Sequence, residues 1–273
     1  MLIALLQMTP AAADPAANLA RIEQAALAAG AFGCDLLVTP EMGVTGYNIG
    51  ADIARLAEPR DGPLVARLGE IAARAGLALV AGFPERTSGE IYNSLVLVRP
   101  QGSPFVYRKC HLYGPDEKAA FTPAGTFSEI VEIAGLKVGF LICYDVEFPE
   151  MVQGLALAGA DLVVVPTALA ATPSCRRIAL SIVPARALEN HVFIAYADLC
   201  GSERGLTYQG CSVIAAPDGE DLARAGEAEA LLMARIDPRA YDAARAENPY
   251  QEERRPALYA TRRAVPSEET SGR

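Results

Sequence analysis

The amino-acid sequence predicts a protein of the α/β class. Short apolar runs of strand length alternate along the chain with longer stretches of helical character. Runs such as 162–165 are apolar without alternation, which is typical of central strands that are covered on both faces. The chain has 273 residues, 51% of them hydrophobic, which is enough for the core of one large α/β domain.

The strand predictions rest on apolar runs bounded by turn residues. In chain order they lie near 2–8, 34–39, 77–83, 92–99, 105–109, 127–133, 136–142, 160–165, 192–198, 211–216 and 229–236. The segment 100–104 is dense in proline, glycine and serine, so it should join two antiparallel strands.

The helix predictions rest on longer stretches with start signals, and these stretches lie near 15–30, 62–75, 148–159 and 175–190. Asp14 is a good N-cap for the first helix and Pro15 fits its first position. Gly62 and Pro63 open the second helix in a similar way. No linker divides the chain, so we expect one domain over residues 1–262 and a polar C-terminal tail over 263–273.

Composition excludes several classes of function. The net charge of −9 argues against nucleic-acid binding, which selects basic surfaces. No apolar stretch approaches the roughly 20 residues that cross a membrane, and the N-terminal run lacks the features of a signal peptide. The six cysteines are scattered, without metal-site spacing to the two histidines, so neither disulfides nor a metal site is expected. We therefore expect a cytoplasmic enzyme.

Three chemically useful side chains lie where predicted strands end. Cys143 follows the apolar run 138–142 and precedes a polar segment. Glu41 follows the run 36–40, and Lys109 ends the run 105–108. Chemistry in α/β sheets collects at the carboxyl ends of strands, so a thiol at that place is a candidate nucleophile.

The candidate nucleophile needs a base, because a free thiol has a pKa near 8.5. His191 follows a predicted helix and is better explained as its cap. His111 lies two residues beyond Lys109 and stays open as a participant. Glu41 is the better candidate base, since it precedes a glycine-rich turn that would let backbone approach a ligand.

These segments resemble those of the nitrilase superfamily of carbon–nitrogen hydrolases. The matching segments are 39–41 with 46–48, 107–112, 139–145 with 148–150, 186–190 and 210–212. Their ordered combination covers nearly the whole chain. The resemblance implies a four-layer α-β-β-α sandwich, no cofactor, and a homodimer or higher homo-oligomer that pairs through the face carrying the region after the cysteine.

The resemblance also implies roles for individual residues. Glu41 corresponds to the general base and Cys143 to the nucleophile. Lys109 corresponds to the ammonium that stabilises the oxyanion, with the backbone N–H of Tyr144. Glu117 is our choice for the second glutamate of the family, which would position substrate and assist proton transfer to the leaving amine.

The segment around Cys143 favours one reaction among those of the superfamily. True nitrilases usually carry Cys-Trp-Glu there, whereas this chain has no tryptophan and reads Cys-Tyr-Asp from Cys143. Carbamoylases usually have asparagine after the cysteine and an arginine pair nearby. We predict hydrolysis of a small amide to a carboxylic acid and ammonia, through a thioester acyl-enzyme.

The sequence leaves three alternatives to the predicted amidase. A nitrilase shares the residues but not the substrate, and an ω-amidase of dicarboxylate monoamides would need a cation such as Arg176 or Arg177. A non-catalytic binding protein with this fold is the remote alternative. The substrate pocket is predicted from strand ends, near Tyr47, Tyr113, Tyr144 and the segment Thr167–Thr172, with Thr167 as the candidate lining residue. Whether Glu147 faces the site or an interface stays open.

Overall fold

The structure, a computed structural model, describes residues 1–260. Its strands are β1 (Leu2–Gln7), β2 (Leu36–Val38), β3 (Ala78–Thr87), β4 (Glu90–Val98), β5 (Phe105–Arg108), β6 (Val131–Ile133), β7 (Leu136–Phe140), β8 (Leu162–Thr167), β9 (Phe193–Asp198), β10 (Ser202–Glu203), β11 (Leu206–Thr207), β12 (Val213–Ala215), β13 (Asp221–Arg224) and β14 (Ala230–Arg235). Its α-helices are α1 (Pro15–Ala31), α2 (Asp52–Leu56), α3 (Pro63–Ala75), α4 (Gly114–Ala120), α5 (Pro149–Leu157), α6 (Pro173–Arg177), α7 (Val183–Asn190), α8 (Asp242–Glu247) and α9 (Pro256–Ala260).

Two six-stranded mixed sheets form the centre of the fold. The first has the strand order β14-β1-β2-β3-β4-β5 and the second β13-β12-β9-β8-β7-β6. Strands β1, β2 and β3 are parallel to one another, as are β7, β8 and β9. Because β4 is antiparallel to both β3 and β5, strand β5 runs in the same direction as β2 and β3. The carboxyl ends of β2 and β5 therefore lie on the same side of the first sheet.

The sheets pack face to face between two layers of helices. In β1, Ile3 and Leu5 join the core that also contains Phe140 and Val165 of the second sheet. Ala4, between them, belongs instead to the core under α1 and α3. Residues of α5 and α7 cover the outer face of the second sheet. This alternation, with period two along each strand, produces the predicted four-layer α-β-β-α sandwich.

The helix starts follow the chemistry of the sequence. The Asp14 carboxylate accepts a hydrogen bond of 3.0 Å from the backbone N–H of Ala17, and Pro15 begins α1. Pro63 begins α3 after Gly62, which caps that helix without a side-chain hydrogen bond. Both predicted helix starts are confirmed. The predicted turn at 100–104 also joins two antiparallel strands, β4 and β5.

The predicted helix at 175–190 is interrupted. The chain forms α6, then a π-helical turn at Ile178–Ile182, then α7. Pro184 lies at the start of α7. Proline has no N–H and its ring crowds the carbonyl four residues earlier, so a widened turn before it relieves the clash.

The remaining differences concern short elements and boundaries. The strand predicted at 127–133 is ordered as β6 only from Val131. The short helices α2, α4, α8 and α9, the two-stranded pair β10–β11 and the edge strand β13 were not predicted. No helix within residues 1–260 has the length and apolar character that crossing a membrane requires. The predicted tail at 263–273, like the last two residues of the predicted domain, lies outside the described residues.

Candidate active site

Glu41 lies in the turn that follows β2 and is fully buried. Its Oε1 accepts hydrogen bonds of 2.7 Å from Lys109 Nζ and of 2.7 Å from Asn93 Nδ2. Its Oε2 has no hydrogen-bond partner among the described residues. Gly82 of β3 allows the turn to pack this closely, because a Cβ at that position would lie 2.4 Å from the backbone nitrogen of Met42. The carboxylate thus has one occupied oxygen and one free oxygen.

Lys109 follows β5 and its side chain is also completely buried. Its Nζ lies 2.7 Å from Glu41 Oε1 and 2.7 Å from Glu117 Oε1, so it bridges the two carboxylates. Burial alone would lower the pKa of Lys109, but the negative charges of Glu41, Cys143 and Glu117 outweigh it and raise that pKa. The ammonium therefore stays charged over the whole neutral range.

Glu117 lies on α4, which begins at Gly114 with Pro115 in its first turn. Besides Lys109, its Oε1 accepts a hydrogen bond of 2.6 Å from the Tyr47 hydroxyl. Its Oε2 accepts one of 2.8 Å from the backbone N–H of Tyr113. The Glu117 side chain is thus buried and held by hydrogen bonds from Lys109, Tyr47 and the Tyr113 backbone.

Cys143 begins a 3₁₀ turn, Cys143–Glu147, just beyond the end of β7. Its φ angle is 45°, in the left-handed region that residues with a Cβ seldom adopt. Such a conformation costs energy and persists only where the surroundings hold it, which is common at functional sites. The turn aims the cysteine at the cavity, whose wall it forms with Glu117 and Tyr144.

The Asp145 carboxylate holds this turn in place through hydrogen bonds to neighbouring segments. Its Oδ2 accepts hydrogen bonds from the Tyr107 hydroxyl at 2.9 Å and from the backbone N–H of Ile142 at 3.1 Å. Its Oδ1 accepts one from the backbone N–H of His111 at 2.9 Å and lies 2.9 Å from His111 Nδ1. The His111 ring also stacks on Phe148, with centroids 3.9 Å apart. His111 therefore supports the turn through Asp145.

Burial raises the pKa of both acidic groups at the centre of the site, Glu41 and Cys143. Burial raises the pKa of Glu41, and Glu117 adds to the rise while Lys109 opposes it. Burial also raises the pKa of the Cys143 thiol, as does the Glu41 carboxylate; Lys109 and a backbone hydrogen bond from Ala168 act in the opposite direction. A neutral thiol thus lies beside a carboxylate that is more basic than an ordinary glutamate.

A cavity of about 960 Å³ opens over this cluster. Tyr47, Tyr113 and Tyr144 line it, as the sequence predicted for the pocket. Thr167, the first residue of the predicted pocket segment 167–172, is fully buried at the end of β8, where its hydroxyl donates to the Val165 carbonyl at 3.2 Å. Residues 168–170 of the same segment line the cavity.

The structure also gives the positions of four other charged residues relative to the cavity, which the sequence did not determine. Glu147 lines the cavity and is half-buried. Arg176 and Arg177 are exposed and do not belong to the lining. Asp198 is fully buried behind the Ala168–Leu169 segment and accepts a hydrogen bond of 2.8 Å from the Leu169 N–H.

Three supporting residues were missed by sequence reasoning. Asn93 contacts Glu41 from β4, and Asp145 braces the cysteine turn. Glu203 accepts hydrogen bonds from the backbone N–H groups of Tyr47, at 3.0 Å, and Asn48, at 2.6 Å. Asn93 and Glu203 lie in segments without a distinctive pattern, and only the fold brings them to the site. Asp145 lies in the motif around Cys143, but the motif alone gave it no role. Within residues 1–260 no three or more His, Cys, Asp or Glu side chains are grouped to hold a metal ion.

Comparison with known proteins defines the class of this fold and site. The profile of the family described as "Carbon-nitrogen hydrolase" matches residues 2–246. The chain therefore belongs to the carbon–nitrogen hydrolase family, and it is an enzyme of that class. This confirms the resemblance to the nitrilase superfamily that the sequence motifs indicated.

Similar proteins extend over nearly the full chain. A "Hydrolase in pqqF 5'region" from Pseudomonas protegens is 45% identical over 262 residues, which cover 95% of this chain and 90% of that protein. An (R)-stereoselective amidase from Pseudomonas sp. is 37% identical over 257 residues, covering 93% of this chain and 92% of that protein.

The fold has a counterpart among solved structures. An amidase of the nitrilase superfamily from Nesterenkonia AN1 matches with a TM-score of 0.86 and 37% identity, covering 95% of this chain and 96% of that one. One structure of that amidase is a complex with butyramide. Another shows covalent addition of the acetamide moiety of fluoroacetamide at its active-site cysteine.

Proposed function

We propose that this protein is a cysteine-dependent amidase that hydrolyses a small amide to a carboxylic acid and ammonia. The observation that carries the proposal is the free, buried Oε2 of Glu41, whose carboxylate is close enough to Cys143 for its charge to raise the pKa of the thiol. A buried carboxylate oxygen without a donor is costly unless something supplies a proton to it. The thiol of Cys143 is the group from which it would take that proton.

In the first half-reaction Glu41 removes the thiol proton as the sulfur attacks the amide carbon. The resulting oxyanion is stabilised by Lys109 and by the backbone N–H of Tyr144, and removing a donor of this kind typically costs about 3–4 kcal/mol. Glu41 then returns the proton to the nitrogen, the C–N bond breaks and ammonia leaves. The product on the enzyme is a thioester to Cys143.

In the second half-reaction water attacks the thioester carbon while Glu41 accepts a proton from it. The C–S bond breaks, the acid leaves, and the proton passes to the sulfur to regenerate the thiol. Glu117 stays bound to Lys109 and Tyr47 throughout and positions the ammonium and the substrate. The balance is one amide and one water consumed, with one acid and one ammonia produced.

Two observations support an amide over the alternatives. The Nesterenkonia amidase, similar over almost the whole chain, is described with butyramide and with an acetamide moiety on its cysteine. An ω-amidase needs a cation for the second carboxylate, yet Arg176 and Arg177 lie outside the cavity lining. A nitrilase shares the same three groups and is separated by substrate alone.

The first experiment measures ammonia release from a panel of neutral amides, amino-acid amides, ω-amides, N-carbamoyl acids and nitriles. We expect release from amides by the wild type and none by Cys143→Ala. Cys175→Ala is the matched control, because Cys175 also lines the cavity and should be dispensable. Hydroxylamine added to the reaction should divert product to the hydroxamate, which reports the acyl-enzyme.

The outcome that contradicts the proposal is equally specific. Ammonia release that survives in Cys143→Ala would exclude a cysteine nucleophile. Faster release from a nitrile than from every amide would replace the amidase by a nitrilase. No ammonia from any substrate of the panel, with a folded protein, would contradict hydrolysis of a small amide and would indicate a different acyl donor.

The proposal also covers the oligomeric state of the protein and its cellular compartment. We expect a homodimer or higher homo-oligomer in the cytoplasm. Leu157 on α5 and Leu188 on α7 are exposed on the helices that follow the cysteine turn, which supports pairing through that face. Light scattering after size-exclusion chromatography would give the mass, and a mass equal to one chain would contradict the expectation.

A further inference from the structure

The charged residues that line the cavity above Cys143 are all acidic. Its charged lining residues are Asp116, Glu117 and Glu147, and no lysine, arginine or histidine of the described chain belongs to the lining. Glu117 is fully engaged with Lys109, Tyr47 and the Tyr113 backbone. Asp116 is exposed at the rim. Glu147 is therefore the carboxylate in the wall that is available to a ligand.

The carboxylate of Glu147 has no hydrogen-bond donor among the described residues, although the residue is half-buried. Burial raises the pKa of Glu147, while the charges of Lys109 and Arg186 oppose the rise without contacting the carboxylate. A partly desolvated carboxylate gains most from a direct, charge-assisted partner. The protein does not supply that partner.

The nearby cations are committed elsewhere. Arg186 donates from Nε to the Val146 carbonyl at 3.2 Å and from Nη2 to the Glu147 carbonyl at 3.0 Å. Its remaining nitrogen pairs with Glu189 at 2.9 Å. Lys109 bridges Glu41 and Glu117. Arg186 thus fixes the backbone of Glu147 and leaves the side chain free.

Aromatic rings lie beside this carboxylate. Tyr113 and Tyr144 both line the cavity and meet edge to face, with centroids 5.3 Å apart. A ring face attracts a cation within about 6 Å of its centroid. A free carboxylate with tyrosine rings in the same wall is a suitable environment for an organic ammonium group, and it repels a carboxylate.

We propose that Glu147 binds a protonated amine of the substrate, so that the preferred amides carry an ammonium group at a short distance from the scissile carbonyl. This inference rests on the proposed amidase function, whose substrate class it specifies. Cys143 and Glu147 are the two ends of one 3₁₀ turn. At a rise of about 2 Å per residue their Cα atoms are separated by roughly 8 Å along the turn, which suits an amine a few bonds from the carbonyl.

The test compares three amides of nearly the same shape and different charge. 4-Aminobutyramide is cationic, valeramide is neutral and succinamate is anionic. We expect the wild type to prefer them in that order by kcat/KM. In Glu147→Gln the preference for 4-aminobutyramide over valeramide should fall by about 10-fold or more, because a charge-assisted hydrogen bond is lost. The change should appear mainly in KM, as for a contact made equally in the ground and transition states.

Glu150→Gln is the matched control. It removes the same charge three residues further along, at an exposed position outside the cavity lining. It should leave the preference unchanged. Glu147→Arg should invert the order and favour succinamate, which a general loss of packing would not do. Circular dichroism and Tm of each variant show whether it is folded.

A binding measurement separates this inference from the amidase proposal. Cys143→Ala protein is titrated calorimetrically with 4-aminobutyramide and with valeramide, and no turnover is required. Tighter binding of the cationic amide that disappears in Cys143→Ala/Glu147→Gln supports the inference even if no amide is hydrolysed. Equal binding of the two amides, or a wild-type preference for succinamate that Glu147→Gln does not alter, overturns it.

Discussion

The two oxygens of Glu41 have different environments. Oε1 is bound to Lys109 and Asn93, whereas Oε2 is buried without a partner. The pKa of Glu41 and that of the Cys143 thiol are both raised, chiefly by burial. The resting pair is therefore a neutral thiol beside a basic carboxylate. In the proposed mechanism, the reaction starts with proton transfer from Cys143 to Glu41, so no thiolate is needed in the resting enzyme.

This environment predicts the pH dependence of kcat/KM. The proposed mechanism needs ionised Glu41, so activity should fall as the pH drops through the raised pKa of that carboxylate. The acid limb should thus lie above about 4.3, the usual glutamate value. Lys109, with its raised pKa, keeps its charge in alkali. We expect no loss from that group on the alkaline side.

The measurement is a pH profile of kcat/KM on the best amide of the panel. Glu41→Gln should lower activity by about 10²–10⁴-fold, the range for a general base, and its residual rate should lack the acid limb. Glu70→Gln, at an exposed position on α3, is the control. An acid limb at or below the ordinary glutamate value would argue against Glu41 as the titrating base.

Sequence alone identified the residues that follow strands and missed those that support them. Glu41, Lys109 and Cys143 each interrupt an apolar run with a reactive group, which is a visible signal. Asn93 sits inside β4, where one polar residue in an alternating strand carries no such signal. Its role depends on β4 lying beside β3, which is a property of the sheet rather than of the segment.

At the scale of elements, the cysteine turn depends on a single carboxylate. Asp145 accepts from the Ile142 N–H, the Tyr107 hydroxyl and the His111 backbone, and it also contacts the His111 ring. Cys143 keeps its positive φ because this set of hydrogen bonds ties β5, β7 and the turn together. An amide in the same place has one oxygen only.

The substitution Asp145→Asn should therefore lower both the stability of the protein and its rate of amide hydrolysis. Each buried donor left without an acceptor costs about 1–3 kcal/mol, so Tm should fall and kcat should fall with it. Thermal unfolding followed by circular dichroism, together with kcat on the best amide, tests this. Asp218→Asn on an exposed loop is the control. Unchanged kcat in a folded Asp145→Asn would show that the turn keeps its shape without the carboxylate.

The predictability of elements followed their length. α1 and α3 have 17 and 13 residues, with proline at the start, and both were predicted close to their observed bounds. α2 and α9 have 5 residues each, too few for periodicity to appear. β13 is a polar edge strand with exposed residues, so it offered no apolar run.

At the scale of the whole molecule, the site is shared between the two sheets. Glu41 and Lys109 follow strands of the first sheet, and Cys143 follows a strand of the second. The inter-sheet core that contains Leu5 and Phe140 sets the spacing between them. Apolar runs could predict the strands but not the packing of two sheets, which came from the family resemblance. The order of the strands within each sheet was not predicted.

Leu5→Ala should show this dependence. Leu5 is fully buried between the sheets, and truncation of such a side chain costs about 2–5 kcal/mol of unfolding free energy. The midpoint urea concentration of unfolding, followed by circular dichroism, and the urea concentration at which ammonia release is half lost should both fall, and by the same amount. Leu27→Ala, on the exposed face of α1, should change stability by no more than about 0.5 kcal/mol. Activity lost well before the circular dichroism signal would show that the site opens independently of the sheets.

The origin of the cavity wall has a consequence for how such an enzyme changes. The proposed reacting groups, Glu41, Lys109 and Cys143, follow the ends of strands, whereas most of the cavity lining comes from the segments 47–54, 113–121 and 168–178. Substitutions in these segments can reshape what enters without moving the thiol, the carboxylate or the ammonium. Libraries confined to them, with Tyr47 and Glu117 held constant, are the economical route to new substrate ranges, and inherited variation can follow the same route.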